Sequence, residues 1–133
     1  MTKNPQKIRW GIIGLGVLGG NMARSIVGSE NGVLYLAASN NKNRARDFAK
    51  KYGAPHYGAI RDMLKNPEVD AVLISSKNNE HKKHVLIAAS AKKHILCEKP
   101  LALSMKDGRA IANAVKKHRN RFAVGFHIRH HPA

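Results

Sequence analysis

Gly14, Gly16 and Gly19, interleaved with Leu15, Val17 and Leu18, follow directly on an apolar run, Ile-Arg-Trp-Gly-Ile-Ile, that ends at Ile13. Such a run stopping at glycine reads as a buried strand, and residues 17–27 beyond it carry Leu18, Met22 and Ile26 at helical spacing before Gly28. Strand, tight turn and helix with glycines so placed set peptide backbone against a pyrophosphate. Gly14 permits the turn, Gly16 leaves the backbone bare toward the phosphates, and Gly19 lets the helix pack closely on the strand. Free N–H groups and the positive dipole end of the helix then favour negative charge. The whole stretch from Gly14 to Gly19 is expected to hold a nicotinamide dinucleotide.

A second chemical signal lies at the end of the next apolar run, where an NAD-binding protein places Asp or Glu against the adenosine ribose. Here stand Ser39, Asn40, Asn41 and Lys42, with Arg44 just beyond. With no carboxylate to repel a 2′-phosphate, and with hydroxyl, amide and cationic donors to bind one, the expected cofactor is NADP(H) in preference to NAD(H). The same residues can also cap a helix beginning near Lys42.

The elements that position these groups alternate along the chain. Strands are predicted over residues 7–13, 33–38, 56–57, 71–74, 94–97 and 122–126, and helices over 17–27, 42–52, 59–65, 79–93 and 104–118. Ala45, Phe48 and Ala49 share one helix face, Val85, Ala88 and Ala89 another, and Ile111, Ala114 and Val115 a third; Ser104 can cap the last helix. Parallel strands need crossover helices, so the expected fold is α/β, a Rossmann-type doubly wound, mostly parallel sheet with helices on both faces. No repeat, linker or composition shift divides the chain, and residues 1–133 read as one domain.

Further along, Cys97-Glu98-Lys99-Pro100-Leu101-Ala102 follows the fifth strand. Gly53-Ala54-Pro55, Asn66-Pro67-Glu68-Val69-Asp70-Ala71-Val72 and Gly125-Phe126-His127-Ile128-Arg129 accompany it in order. Together with the glycine turn, these pieces make the chain resemble the Gfo/Idh/MocA oxidoreductases, which include glucose-fructose oxidoreductase and inositol dehydrogenase, from about Ile8 to Pro132. The resemblance implies hydride transfer between a nicotinamide cofactor and a sugar, polyol or related hydroxy compound. It further implies that Lys99 is the catalytic lysine that hydrogen-bonds the substrate hydroxyl and that Glu98 sits beside the nicotinamide. By the same resemblance Ser75, Ser76, Asn78 and His81 would line the cofactor, and Arg129 would fall on its substrate side. Oxidising an alcohol removes the hydroxyl proton while hydride leaves the same carbon, which is work a lysine near the nicotinamide can serve.

Two features depart from the family pattern. Lys77 stands where a proline commonly precedes the asparagine after the fourth strand. Family members also carry a second, sheet-rich domain supplying much of the substrate pocket, so this chain is expected to represent the nucleotide domain alone and to be inactive without its partner domain. The competing expectation is a stand-alone NADP(H)- or partner-binding protein without turnover.

The remaining composition narrows the field. Lys and Arg total 24 against 8 Asp and Glu, a net charge of +16 that attracts polyanions at low salt. The cations are scattered in pairs and aromatic residues make up only 5%, so nucleic-acid binding is expected to be non-specific and salt-sensitive. No stretch reads as a membrane span or a signal peptide, and the single cysteine, Cys97, reads as a small core residue; cytoplasmic location is the expectation. His81 and His84 lie three apart on a helix without a third ligand, and His127, His130 and His131 read as loop residues, so no metal is expected.

Overall fold

The computed structural model describes residues 6–132. Six strands, β1 (Ile8–Ile13), β2 (Gly32–Ala38), β3 (His56–Gly58), β4 (Ala71–Ile74), β5 (His94–Cys97) and β6 (Phe122–Val124), form one sheet in the order β3-β2-β1-β4-β5-β6, every pair parallel. The connections run through α1 (Val17–Val27), α2 (Lys42–Tyr52), α3 (Ile60–Lys65), α4 (His81–Ser90) and α5 (Met105–His118). The chain leaves β1 toward one side of the sheet and resumes at β4 on the other. A crevice therefore opens between the carboxyl ends of β1, β2 and β4, the topological switch point at which such sheets bind ligands.

Strand alternation divides the core into two layers. Ile12, Leu34, Ala37 and Leu73 pack under α1 and α2 with Ala23, Ile26, Phe48 and Ala49. Ile13, Ala38, Val72, Ile74 and Cys97 point the other way, against Met63 and Leu64 of α3, Val85 and Ala88 of α4 and Ile111 of α5. Cys97 is wholly buried there, and burial pushes its thiol up to about 12, which fits a core residue.

Three local outcomes differ from the sequence reading. The buried face of α1 is Gly19, Gly20, Ala23 and Ile26, whereas Leu18 is exposed, because only small residues allow so close an approach to β1 and α2. A Cβ on Gly20 would strike the Tyr52 hydroxyl. Helix α4 begins after a short 3-10 turn (Asn78–Glu80) and ends at Ser90, three residues before the expected end, since Lys92 turns left-handed at φ 59°. Strand β6 ends at Val124, and Phe126 lies outside it in the turn that leads to a 3-10 segment (His127–His130).

At the amino edge of the sheet, away from the crevice, Arg9 donates to both Asp70 carboxylate oxygens, from Nε at 3.0 Å and Nη2 at 2.9 Å, and also pairs with Glu68. The Asp70 carboxyl is thereby held below its ordinary range. Nearby, the buried Lys93 ammonium donates to the carbonyls of Asn66 and Val69 at 2.6 and 2.8 Å. These contacts give the Asn66 to Asp70 stretch a structural purpose far from the crevice. Among the described residues no helix is long and apolar enough to cross a membrane.

Candidate functional site: the dinucleotide crevice

The glycine turn has three separate constraints. Gly14 sits at φ 92°, in the left-handed region, and a Cβ there would collide with the backbone of Ser75 and Ser76. Ser75 Oγ donates to the Gly14 carbonyl at 2.8 Å, tying the turn after β1 to the loop after β4. A Cβ on Gly19 would strike that same carbonyl, so Gly19 closes the helix onto the turn. Gly16 is different: among the described residues no atom beyond its chain neighbours lies within 4 Å of its Cβ position. It is the N-cap of α1, with no capping side chain and no acidic residue in the first turn, so the terminal N–H groups and positive dipole end of the helix face open space. An uncapped helix terminus beside a bare glycine fits the pyrophosphate of a dinucleotide.

A cleft of about 260 Å³ runs from this turn along the strand ends, with Gly14, Leu15 and Gly16 on one wall and Ser39, Asn40 and Arg44 on another. Ser76, Lys77, Glu80 and His84, from the β4 side, complete it over Ile60. Val17 and Asn41 instead line a broader neighbouring cleft of about 690 Å³, in which Leu15, Gly16 and Arg44 also take part. Asn41 has a structural task as well, because its side chain accepts from Arg44 N at 3.0 Å as the N-cap of α2, while Ser39 Oγ accepts from Asn41 N at 3.1 Å. Asn41→Ala is expected to lower unfolding stability by about 1 kcal/mol in urea titrations, the usual effect of losing such a cap. Leu18, exposed on α1, lines neither cleft.

The loop after β4 is set by two buried histidines. The His81 ring lies between the Pro100 carbonyl, 2.7 Å from Nδ1, and the Ser76 carbonyl, 3.0 Å from Nε2. It is 1% exposed, so it joins the loops after β4 and β5 from behind and leaves the lining of the cleft to others. His84, 5% exposed, has its Nδ1 2.7 Å from Ser76 Oγ and does line the cleft; burial lowers its pKa. Sequence reasoning weighed His84 only as half of a metal pair, and among the described residues no group of three or more His, Cys, Asp or Glu could hold a metal. Its signal in the sequence was helical spacing onto the same face as Ala88, a buried position. Lys77 has φ −60°, the angle a proline ring would impose, so the loop keeps this path without one. Asn78 is exposed at the start of the 3-10 turn.

The other end of the site lies at β5 and β6. Glu98 is buried, and its Oε1 would be 3.0 Å from a Cβ on Gly125, so the glycine makes room for the carboxylate. Lys99 N donates to Glu98 Oε2 at 3.3 Å, and the Lys99 side chain is exposed beyond it, before a cis bond to Pro100. A cavity of about 170 Å³ lies between Lys99 and the segment from Gly125 to Arg129, whose guanidinium stacks 5.1 Å from the Phe126 ring centre. The residues named from sequence thus fall in two groups at the carboxyl ends of the strands, one around the glycine turn at β1, β2 and β4 and one around Lys99 at β5 and β6.

Fold and crevice together define a domain of the Rossmann dinucleotide-binding class. Residues 8–126 match the pattern of the GFO_IDH_MocA family, an oxidoreductase family with an NAD-binding Rossmann fold, and the chain belongs to it. It is 35% identical over 111 residues to myo-inositol 2-dehydrogenase of Thermotoga maritima, covering 83% of this chain and 33% of that one. It superimposes at a TM-score of 0.86 on scyllo-inositol dehydrogenase of Lactobacillus casei with bound NAD(H) and scyllo-inositol, with 28% identity, over 95% of this chain and 38% of the other. A protein described as an NADPH-dependent oxidoreductase, from Desulfitobacterium hafniense, superimposes at 0.89 with 26% identity, over 94% and 36% of the two chains. The chain spans about a third of the length of the curated relatives it matches.

Proposed function

We propose that this domain serves an oxidoreductase that moves hydride between NADP(H) and a sugar, polyol or related hydroxy compound, with Lys99 as its catalytic residue. The observation that carries the reading is the bare, uncapped turn at Gly16 opening into a cleft whose β2 wall is Ser39, Asn40 and Arg44. The carboxylate that does line this cleft, Glu80, comes from the β4 side beside Lys77 and leaves the β2 wall free of negative charge. Ser39 and Arg44 donate to a 2′-phosphate, and the backbone from Gly14 to Gly16 holds the pyrophosphate. The nicotinamide, when bound, supplies the hydride acceptor or donor. At the β5 end Lys99 Nζ hydrogen-bonds the substrate hydroxyl and moves its proton, while Glu98, fixed against Gly125, orients the adjoining backbone through Lys99 N.

Charge-assisted contacts to a 2′-phosphate are worth about 1.5 to 3 kcal/mol, roughly ten- to a hundredfold in affinity. Calorimetric titration is therefore expected to show NADP(H) binding at least about tenfold tighter than NAD(H). Ser39→Asp should move the preference toward NAD(H) by repelling the phosphate and bonding the ribose hydroxyls. Equal affinities would remove the NADP assignment, and failure to bind either cofactor would remove the reading as a whole.

A further inference from the structure

The space between α3 and α4 adjoins the dinucleotide cleft, sharing Asn40, Ile60 and His84 with it at its upper end, and its lower part takes no part in the reading above. Ile60 and Leu64 of α3 face Ile87 of α4 and Ala91 just past its end across a groove of about 380 Å³, within the size range of small-molecule sites. From His84 to Ala91 the groove follows α4 for about 10 Å at 1.5 Å per residue. It descends the flank of the sheet, away from the strand ends where the dinucleotide cleft opens.

Charge on this groove has one sign. Arg61, Lys65 and Lys83 stand at its margin, and no carboxylate lines it. None of the three enters an ion pair among the described residues, whereas Arg9, Arg46 and Lys82 all have partners. At its upper end lies His84, 95% buried, with Nδ1 engaged by the Ser76 hydroxyl and Nε2 making no hydrogen bond among the described residues. The groove therefore offers an apolar floor, three unpaired cations and one unused ring nitrogen.

We infer that the α3–α4 groove is a second binding site, for an apolar small molecule carrying an anionic headgroup, adjoining the dinucleotide cleft and occupied independently of it. The apolar body lies on Ile60, Leu64, Ile87 and Ala91, whose half-buried and buried surfaces gain from being covered. The carboxylate, sulfate or phosphate head pairs with Arg61, Lys65 and Lys83, which cost little to desolvate at the margin and have no competing partner. A bare phosphate would leave the floor wet, and a nucleic acid would find no Phe, Tyr or Trp in the groove to stack on.

The test uses the 15N-labelled chain titrated with 8-anilinonaphthalene-1-sulfonate, an apolar anion, and needs no cofactor, so its outcome is independent of the proposed oxidoreductase activity. Saturable amide shifts are expected over residues 60–65 and 83–91. The exposed double substitution Arg61→Glu, Lys83→Glu should weaken binding at least tenfold with an otherwise native spectrum, while Lys50→Glu on α2 should leave it unchanged. Shifts centred elsewhere, such as the apolar groove beside Leu101 and Phe122, would overturn the assignment, as would charge reversal without effect. Displacement of the probe by NADPH would also overturn it, by making the groove part of the dinucleotide cleft.

Discussion

Gly16→Asp is expected to weaken NADPH binding by about a hundredfold or more, roughly 2.7 kcal/mol, while leaving the unfolding midpoint unchanged or slightly raised. The position explains both halves. Among the described residues no atom beyond its chain neighbours lies within 4 Å of a Cβ there, and the backbone (φ −90°, ψ −163°) is extended conformation that any residue adopts. Aspartate is moreover a better N-cap than glycine, so α1 gains a partner for its terminal N–H groups and a negative charge at its positive end. That carboxylate fills the space a pyrophosphate needs and repels it. Gly14 provides the contrast, since Gly14→Ala forces a side chain into the left-handed region and against the Ser75 and Ser76 backbone. A loss of about 3 kcal/mol or more of stability is expected from strain and overpacking together. Paired fluorescence titration of NADPH and urea unfolding separate the two. A Gly16→Asp protein that binds normally would show that the phosphates lie elsewhere.

The different fates of these glycines bear on what the sequence makes legible. Gly14, Gly16 and Gly19 are legible as a candidate phosphate turn because they fall between a buried strand and an amphipathic helix, where each step has a residue-level requirement. The same holds for α1, α2, β4 and β5, whose bounds follow from glycine stops, from the Asn41 cap of α2 and from apolar runs. The buried side of α1 was not readable, because periodicity favours large apolar residues such as Leu18, whereas close packing on β1 selects Gly19, Gly20 and Ala23. The end of α4 was missed because Lys92 takes the left-handed turn usually left to glycine or asparagine. Of the two buried histidines, His84 is signalled by its spacing onto the Ala88 face, whereas the partners that hold His81 are not. A polar residue's burial depends on partners distant in sequence, here the Pro100 carbonyl for His81, and no local pattern reports them.

The 133-residue chain is expected to bind reduced cofactor and yet to turn over no sugar or polyol at an enzyme-like rate. On the proposed reading, cofactor binding draws on Gly14 to Gly16, Ser39 and Arg44, all lining one cleft at the strand ends. Catalysis asks for more at the other end. Lys99 is exposed, and the cavity beside it measures about 170 Å³, below the roughly 300 Å³ at which small-molecule pockets begin. Its lining from Phe126 to Arg129 is itself exposed, so the described residues leave the cavity open to water and do not enclose a substrate carbon against the nicotinamide. Correct positioning alone accounts for about 7 to 11 kcal/mol of barrier reduction, five to eight orders of magnitude in rate. The relatives are roughly two and a half times as long as this chain, and the proposal is that further chain of that kind closes over Lys99. Calorimetric binding of NADPH paired with an absorbance assay at 340 nm across sugars and polyols tests both halves. Turnover at an enzyme-like rate that disappears in Lys99→Ala would show that the open β5–β6 end is already a complete active site.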